Sequence, residues 1–179
     1  MIEGGPFSVV LADPPWKFAS NSKAHPGRNA MRHYQTMPTA EICALAVPAA
    51  KDAVLLLWAT SPMLPQALEV MEAWGFRYKS QAVWVKSRIA TGYWARNRHE
   101  LLLIGTRGRI PCPKPTLFPD SVIEAATREH SRKPDIVRER IEAAFPGLPK
   151  LEMFARSRRD GWAAYGNEID KFEDGGVAR

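Results

Sequence analysis

Three observations predict an α/β sheet with helices packed against it. Apolar runs of strand length, at residues 7–12, 53–58, 100–105 and 151–155, alternate with stretches of helical spacing at 61–74 and 134–145. The helical stretches carry their own punctuation, with Pro62 and Pro134 in first turns and Gly75 just past an end. The connections between are rich in glycine, proline and asparagine. A chain of 179 residues, 45% apolar and 25% charged, is the size of one domain with a substantial core. The expected organisation is a single domain over 1–179, with an ordered core of about 7–170 and a frayed tail at 171–179.

The elements follow in order. Residues 7–12 read as a short buried strand, stopped by two prolines. Residues 17–35 are a long polar loop, and loops of that length are usually functional or disordered. Pro38 and Thr39 open a short helix, with Thr39 or Thr36 as its cap. Residues 53–58 (Ala-Val-Leu-Leu-Leu-Trp) form a buried strand. The helix from Ser61 to Trp74 carries its apolar stripe on Leu64, Leu68 and Met71, with Val70 beside them. Residues 78–85 alternate as a strand, 100–105 form another, and 122–126 is a candidate. The proline run at 111–115 cannot be a central strand. The helix at 134–145 turns Ile136 and Ile141 toward the sheet, with Val137 and Ala144 flanking them. Residues 151–155 close the series.

No apolar stretch approaches the length of a membrane span, and no basic start followed by an apolar run marks a signal peptide. Cys43 and Cys112 are too few for a disulfide scaffold, and no zinc-type spacing is present. Reduced thiols, a cytoplasmic location and no metal are the expectations. The net charge of +6 points to an anionic partner, and its distribution sharpens this. From Lys17 to Gln35 the chain carries Lys23, Arg28 and Arg32 with no acid. From Lys86 to Arg98 it carries Arg88 and Arg96, again with no acid, and interleaves Tyr93 and Trp94. Two such loops suit phosphates and stacked bases.

The most informative residues are Asp13-Pro14-Pro15-Trp16. They place a carboxylate at the carboxyl end of a strand, where open α/β sheets bind ligands. The prolines lack N–H groups, so the segment presents carbonyl acceptors without competing donors. Trp16 adds a flat π surface. Acceptors beside a stacking face suit a planar ring bearing an exocyclic amine.

This tetrapeptide resembles the catalytic motif of the MT-A70 family of adenine-N6 methyltransferases, which includes the mRNA adenosine enzyme and bacterial and phage DNA adenine enzymes. The resemblance runs from Val9 to about Ile169. It includes Tyr34, the segments 57–60 and 74–76, Lys86, the segment 91–94, and Glu100. It implies a Rossmann-like, S-adenosylmethionine-dependent methyltransferase sheet with helices on both faces and a permuted motif order. Asp13, Pro14, Pro15 and Trp16 would be catalytic. Tyr34, Lys86, Glu100, Arg28 and Arg32 would meet the substrate.

The same resemblance places the cofactor. Asp13 would face the methyl donor, Lys133 and Ser131 would hold the methionine carboxylate at a helix start, and Glu152 with Arg156, Arg158 and Arg159 would serve the ribose. Asn167 and Glu168, in the Gly166-Asn167-Glu168 triplet, would line the adenine edge. Arg158 and Arg159 stand where the mRNA enzyme has His-Asn, which leaves those contacts open. The contact that longer members make to the cofactor adenine through an acidic-apolar pair before the first strand is expected to be missing or replaced here, with either weak cofactor binding or another segment supplying the adenine pocket as the consequence. The expected activity is methylation of the adenine 6-amino group in DNA. An RNA enzyme or a non-catalytic nucleic-acid-binding homologue is the alternative, and a homodimer is compatible with either.

Overall fold

The computed structural model describes residues 2, 4–17, 36–90, 92, 94–118, 120–128 and 132–172. Strand β1 (Phe7–Ala12) lies at the heart of the sheet, since its continuous apolar run can be buried on both faces. It pairs in parallel with β2 (Ala49–Ala59) on one side and β6 (Lys150–Met153) on the other. β7 (Trp162–Tyr165) adds in parallel beyond β6. On the other flank come β4 (His99–Arg107), β3 (Arg77–Val85) and β5 (Val122–Glu124), giving the order β5-β3-β4-β2-β1-β6-β7.

One strand is reversed. β4 runs antiparallel to both neighbours, while every other pairing is parallel. The carboxyl ends of six strands and the amino end of β4 therefore share one edge. That edge gathers Asp13 after β1, Lys86 after β3, Glu100 at the start of β4, Phe154 after β6 and Asn167 after β7.

Helices cover both faces. Alternation along the strands sends Val10, Ala12, Leu55 and Leu57 to one face, where α1 (Thr39–Cys43) contributes Ile42 and α2 (Leu64–Ala73) contributes Ala67, Val70 and Met71. Val9, Leu11, Val54, Leu56 and Trp58 turn to the other face, against Val137 and Ile141 of α3 (Asp135–Ala144). Each of the larger side chains, valine upward, contributes roughly 1.5–3 kcal/mol by leaving water.

The expected strands and helices form, with corrections in detail. β2 is longer than the apolar run, starting at Ala49. Neither Thr36 nor Thr39 caps α1; Pro38 occupies the cap position and no side chain bonds there. Helix α2 begins after a 3-10 turn, Ser61–Met63, and ends before Gly75, whose φ of +79° the chain needs to reverse into β3. Its stripe is rotated from the expected one, because Gly105 on β4 leaves room for Met71 and lets Ala67 and Val70 press on the sheet. Leu68 is left exposed. In α3, Ile136 faces outward and Arg138 is buried instead. β7 was not expected: Trp162-Ala-Ala-Tyr165 is half-buried with no clear alternation. The loop at 18–35 lies outside the described residues.

Candidate active site

Asp13 sits one residue past β1, and its N–H still reaches the Met153 carbonyl at 3.4 Å. Its carboxylate is the end of a four-membered charge chain. Lys133 Nζ donates to Asp13 Oδ2 at 2.7 Å and lies 3.3 Å from Glu100 Oε2. Lys86 completes the chain with a very short ion pair to Glu100. Two indoles form its floor: Trp58 and Trp84 pack edge to face with centroids 6.2 Å apart. The Lys133 ammonium lies 5.6 Å from the Trp58 ring centroid and the Lys86 ammonium 5.0 Å from that of Trp84.

Electrostatics follow from this packing. Burial would push the Glu100 carboxyl up, but the Lys133 and Lys86 ammoniums outweigh it and hold the group below its ordinary range. Burial would likewise lower Lys133, yet Asp13 and Glu100 more than offset it and keep the ammonium charged. The start of α3 shows a second cluster. There Asp135 accepts from Arg128 and Arg138, each at 2.8 Å, and against the opposing effect of burial these bonds bring its carboxyl down to about 2. Arg138 also bonds Ser157 at 3.0 Å and Glu152 at 3.4 Å, tying α3 to β6 and the turn after it.

Two cavities open along the edge on either side of Asp13. The larger, about 380 Å3, runs from Asp13 and Pro15 past Met37, Glu41 and Leu45 to Tyr165, Asn167 and Glu168. The smaller, about 40 Å3, lies between Trp58, Arg132, Lys133, Arg138 and Glu152. Asp13, Phe154 and Arg156 line both. The turn leaving β6 is unusual: Phe154 holds φ at +61°, a left-handed conformation costly for a bulky residue and commonest at functional sites. Beside it, a side chain at Gly166 would place a Cβ 2.5 Å from the Ala155 carbonyl oxygen, so the β6 and β7 exits meet only because that position is glycine.

Of the residues expected from sequence, Asp13, Pro15, Lys133, Glu152, Arg156, Asn167 and Glu168 line these cavities. Lys86 and Glu100 join the charge chain. Tyr34, Arg28, Arg32 and Ser131 lie outside the described residues.

Four placements differ from the reading of the sequence. Trp16 is only 5% exposed, packs in the core and donates its indole N–H to the Trp58 carbonyl at 3.0 Å, so it offers no open stacking face. The Pro14 and Pro15 carbonyls already accept from the Trp16 and Met37 N–H groups, both at 2.8 Å; each oxygen keeps one further lone pair. Arg158 turns out to exposed Asp170 at 3.1 Å, and Arg159 turns back to Glu142 on α3 at 2.7 Å; neither is among the cavity-lining residues. Glu152 is held by Arg138 rather than standing open. Sequence reasoning missed Glu41, Arg138, Phe154 and Phe172, none of which belongs to a recognisable motif.

Among the described residues, no cluster of three His, Cys, Asp or Glu could hold a metal ion, and no helix is long and apolar enough to cross a membrane.

A sheet edge with paired cavities around one aspartate is the ligand-binding edge of a doubly wound α/β enzyme. The profile of the MT-A70 family matches residues 7–168, and this chain belongs to that family of methyltransferases. It is similar to the type II methyltransferase M.MunI of Mycoplasma sp., with 30% identity over 91% of this chain and 78% of that protein. It is also 34% identical to a rice protein named probable N(6)-adenosine-methyltransferase MT-A70-like, over 93% of this chain and 23% of the relative. Identity to the human N(6)-adenosine-methyltransferase catalytic subunit METTL3 is 32%, covering 93% of this chain and 29% of METTL3. The chain thus spans most of the mycoplasma protein and less than a third of the two others.

Proposed function

We propose that this chain transfers a methyl group from S-adenosylmethionine to the 6-amino group of adenine in nucleic acid, with DNA as the preferred substrate. The observation that carries the proposal is the position of Asp13, at the end of the interior strand β1 and at the junction of two cavities of opposite character.

The residues present fit the cofactor. Charge orients it: the smaller cavity presents Arg132 and Lys133 to a carboxylate, whereas the larger presents carboxylates and the Asn167 amide to a nucleoside. Asp13, lining both, stands where the sulfonium belongs. When bound, S-adenosylmethionine supplies an electrophilic methyl group.

The chain's own residues do the rest by positioning. Adenine's 6-amino nitrogen is a poor nucleophile because its lone pair is delocalised into the ring. Asp13 and the free lone pair of the Pro14 carbonyl can accept its two N–H groups, which frees the lone pair for in-line attack. Asp13 need not remove a proton beforehand, because the methylated amine is acidic and sheds one afterwards. Glu100 and Lys86 extend the charge chain beyond Lys133. Trp94, wholly exposed at 104%, offers a face for base stacking on the loop that also carries Arg96 and Arg98. A base inside a duplex must first be flipped out.

DNA is favoured over RNA by the likeness to M.MunI along 78% of that protein. A cytoplasmic location belongs to the same reading. Transfer of tritiated methyl from S-adenosylmethionine to adenine-containing DNA, RNA and free adenosine tests it. DNA should be labelled fastest; labelling of RNA alone would overturn the substrate preference, and labelling of none would overturn the proposal.

A further inference from the structure

Three carboxylates line the larger cavity, and two already have cationic partners. Asp13 is held by Lys133 at 2.7 Å, and Glu168 lies 3.5 Å from Arg156 and 2.6 Å from Lys171. The third, Glu41, has no ion-pair or hydrogen-bond partner among the described residues. It stands in the first turn of α1, and that helix is fixed to the catalytic segment. The Met37 N–H donates to the Pro15 carbonyl at 2.8 Å, and Met37 pairs with Trp16 as an isolated bridge. Leu45, one helical turn on from Glu41, and Met37 line the cavity with it, facing the same space as Phe154 and Tyr165.

We propose that Glu41 binds the exocyclic amine of the cofactor's adenine and selects a 6-amino purine over a 6-oxo purine. The inference rests on the cofactor reading above. An acceptor-only group on the wall of a cavity with apolar surfaces for a ring is suited to an N–H donor on that ring. The cofactor supplies one at a single end. Its carboxylate is repelled by Glu41 and Glu168 and drawn to Arg132 and Lys133, so the sulfonium falls near Asp13 and the nucleoside extends into the Glu41 cavity. There the amine's two hydrogens face an acceptor, while the 6-oxo group of a hypoxanthine ring would set two acceptors against each other. The contact comes from α1, a segment that no cofactor motif in the sequence marked.

The test is calorimetry with S-adenosylhomocysteine and S-inosylhomocysteine on the whole chain. The wild-type protein should bind the adenosyl compound at least about tenfold more tightly, the usual scale of a hydrogen bond to a charged group. Glu41→Gln retains an acceptor oxygen and adds a donor, so it should erase most of that preference by gaining affinity for the inosyl compound. Glu41→Ala should weaken the adenosyl compound about tenfold. Glu41 is exposed, so neither variant should unfold, which circular dichroism checks. Equal discrimination in wild type and Glu41→Gln would overturn the assignment while leaving the cofactor reading intact. No binding of S-adenosylhomocysteine to the wild type would instead overturn the cofactor reading.

Discussion

The Lys133 ammonium lies 2.7 Å from Asp13 Oδ2 and 3.3 Å from Glu100 Oε2, so one cation neutralises two carboxylates that come from strands on opposite sides of β2. It takes one lone pair of Asp13 Oδ2 and leaves Oδ1 and the second lone pair of Oδ2 for the proposed substrate amine.

Replacing Lys133 should expose this dual role. Lys133→Met removes the cation from Asp13 and leaves Glu100 with Lys86 alone in a half-buried setting, and should lower stability by about 2 kcal/mol, with the site's partial solvation reducing the larger cost seen for buried pairs. Urea denaturation would measure it. Adding Glu100→Gln should recover part of the loss, because the two residues share one network. The same lysine variant should bind S-adenosylmethionine more weakly in calorimetry.

Trp16 offers a clean distinction between packing and stacking. Trp16→Phe removes the bond to the Trp58 carbonyl and part of a core ring, and should cost about 2 kcal/mol of stability. A stability unchanged within error, with a raised KM for the nucleic acid, would instead make Trp16 a substrate contact.

Acid stability should track Asp135. Unfolded, its carboxyl titrates near the ordinary 3.8; folded, it titrates near 2. The folded state therefore prefers the carboxylate. The stabilisation is present above about pH 4 and is lost as pH falls toward 2. Glu142 acts in the same direction, since Arg159 bonds its carboxylate and lowers its pKa. Asp135→Asn should flatten the stability profile between pH 4 and 2, read from unfolding midpoints across that range. An unchanged slope would show that the arginines do not hold the charge there.

Gly166→Ala should loosen the larger cavity. The added Cβ would meet the Ala155 carbonyl oxygen, and the adjustment costs about 1–3 kcal/mol or moves Asn167. S-adenosylhomocysteine affinity should fall several-fold or more, whereas a change at Gly161, where a Cβ would meet nothing within 4 Å, should have less effect on that affinity.

Much of the fold was legible because its central strands are buried on both faces and so read as unbroken apolar runs. Edge elements were less visible. Trp162-Ala-Ala-Tyr165 packs half-buried at the end of the sheet, where small residues suffice and no alternation is imposed. Helix faces were misjudged where a neighbour changed the packing: Gly105 admits Met71 and turns Leu68 outward, and the buried Arg138 turns Ile136 outward. In the site, chain order and residue type located Asp13, Lys133 and Asn167. They did not reveal direction. Two adjacent arginines after β6 look alike in sequence, yet the turn sends one to Asp170 and the other to Glu142. A tryptophan after two prolines likewise reads as a stacking face, whereas its indole N–H finds a carbonyl inside the core. Glu41 was invisible because an acid in a helix's first turn is common for reasons of the helix alone.

The central claim is that the Asp13 carboxylate grips the amine that receives the methyl group, and single-turnover methyl transfer by Asp13→Asn tests it most directly. With S-adenosylhomocysteine binding and unfolding midpoint close to those of the wild type, transfer to adenine-containing DNA should fall by about 10²–10³, the scale for losing one fixed electrostatic contact. A variant that folds, binds cofactor and transfers methyl at the wild-type rate would contradict the account.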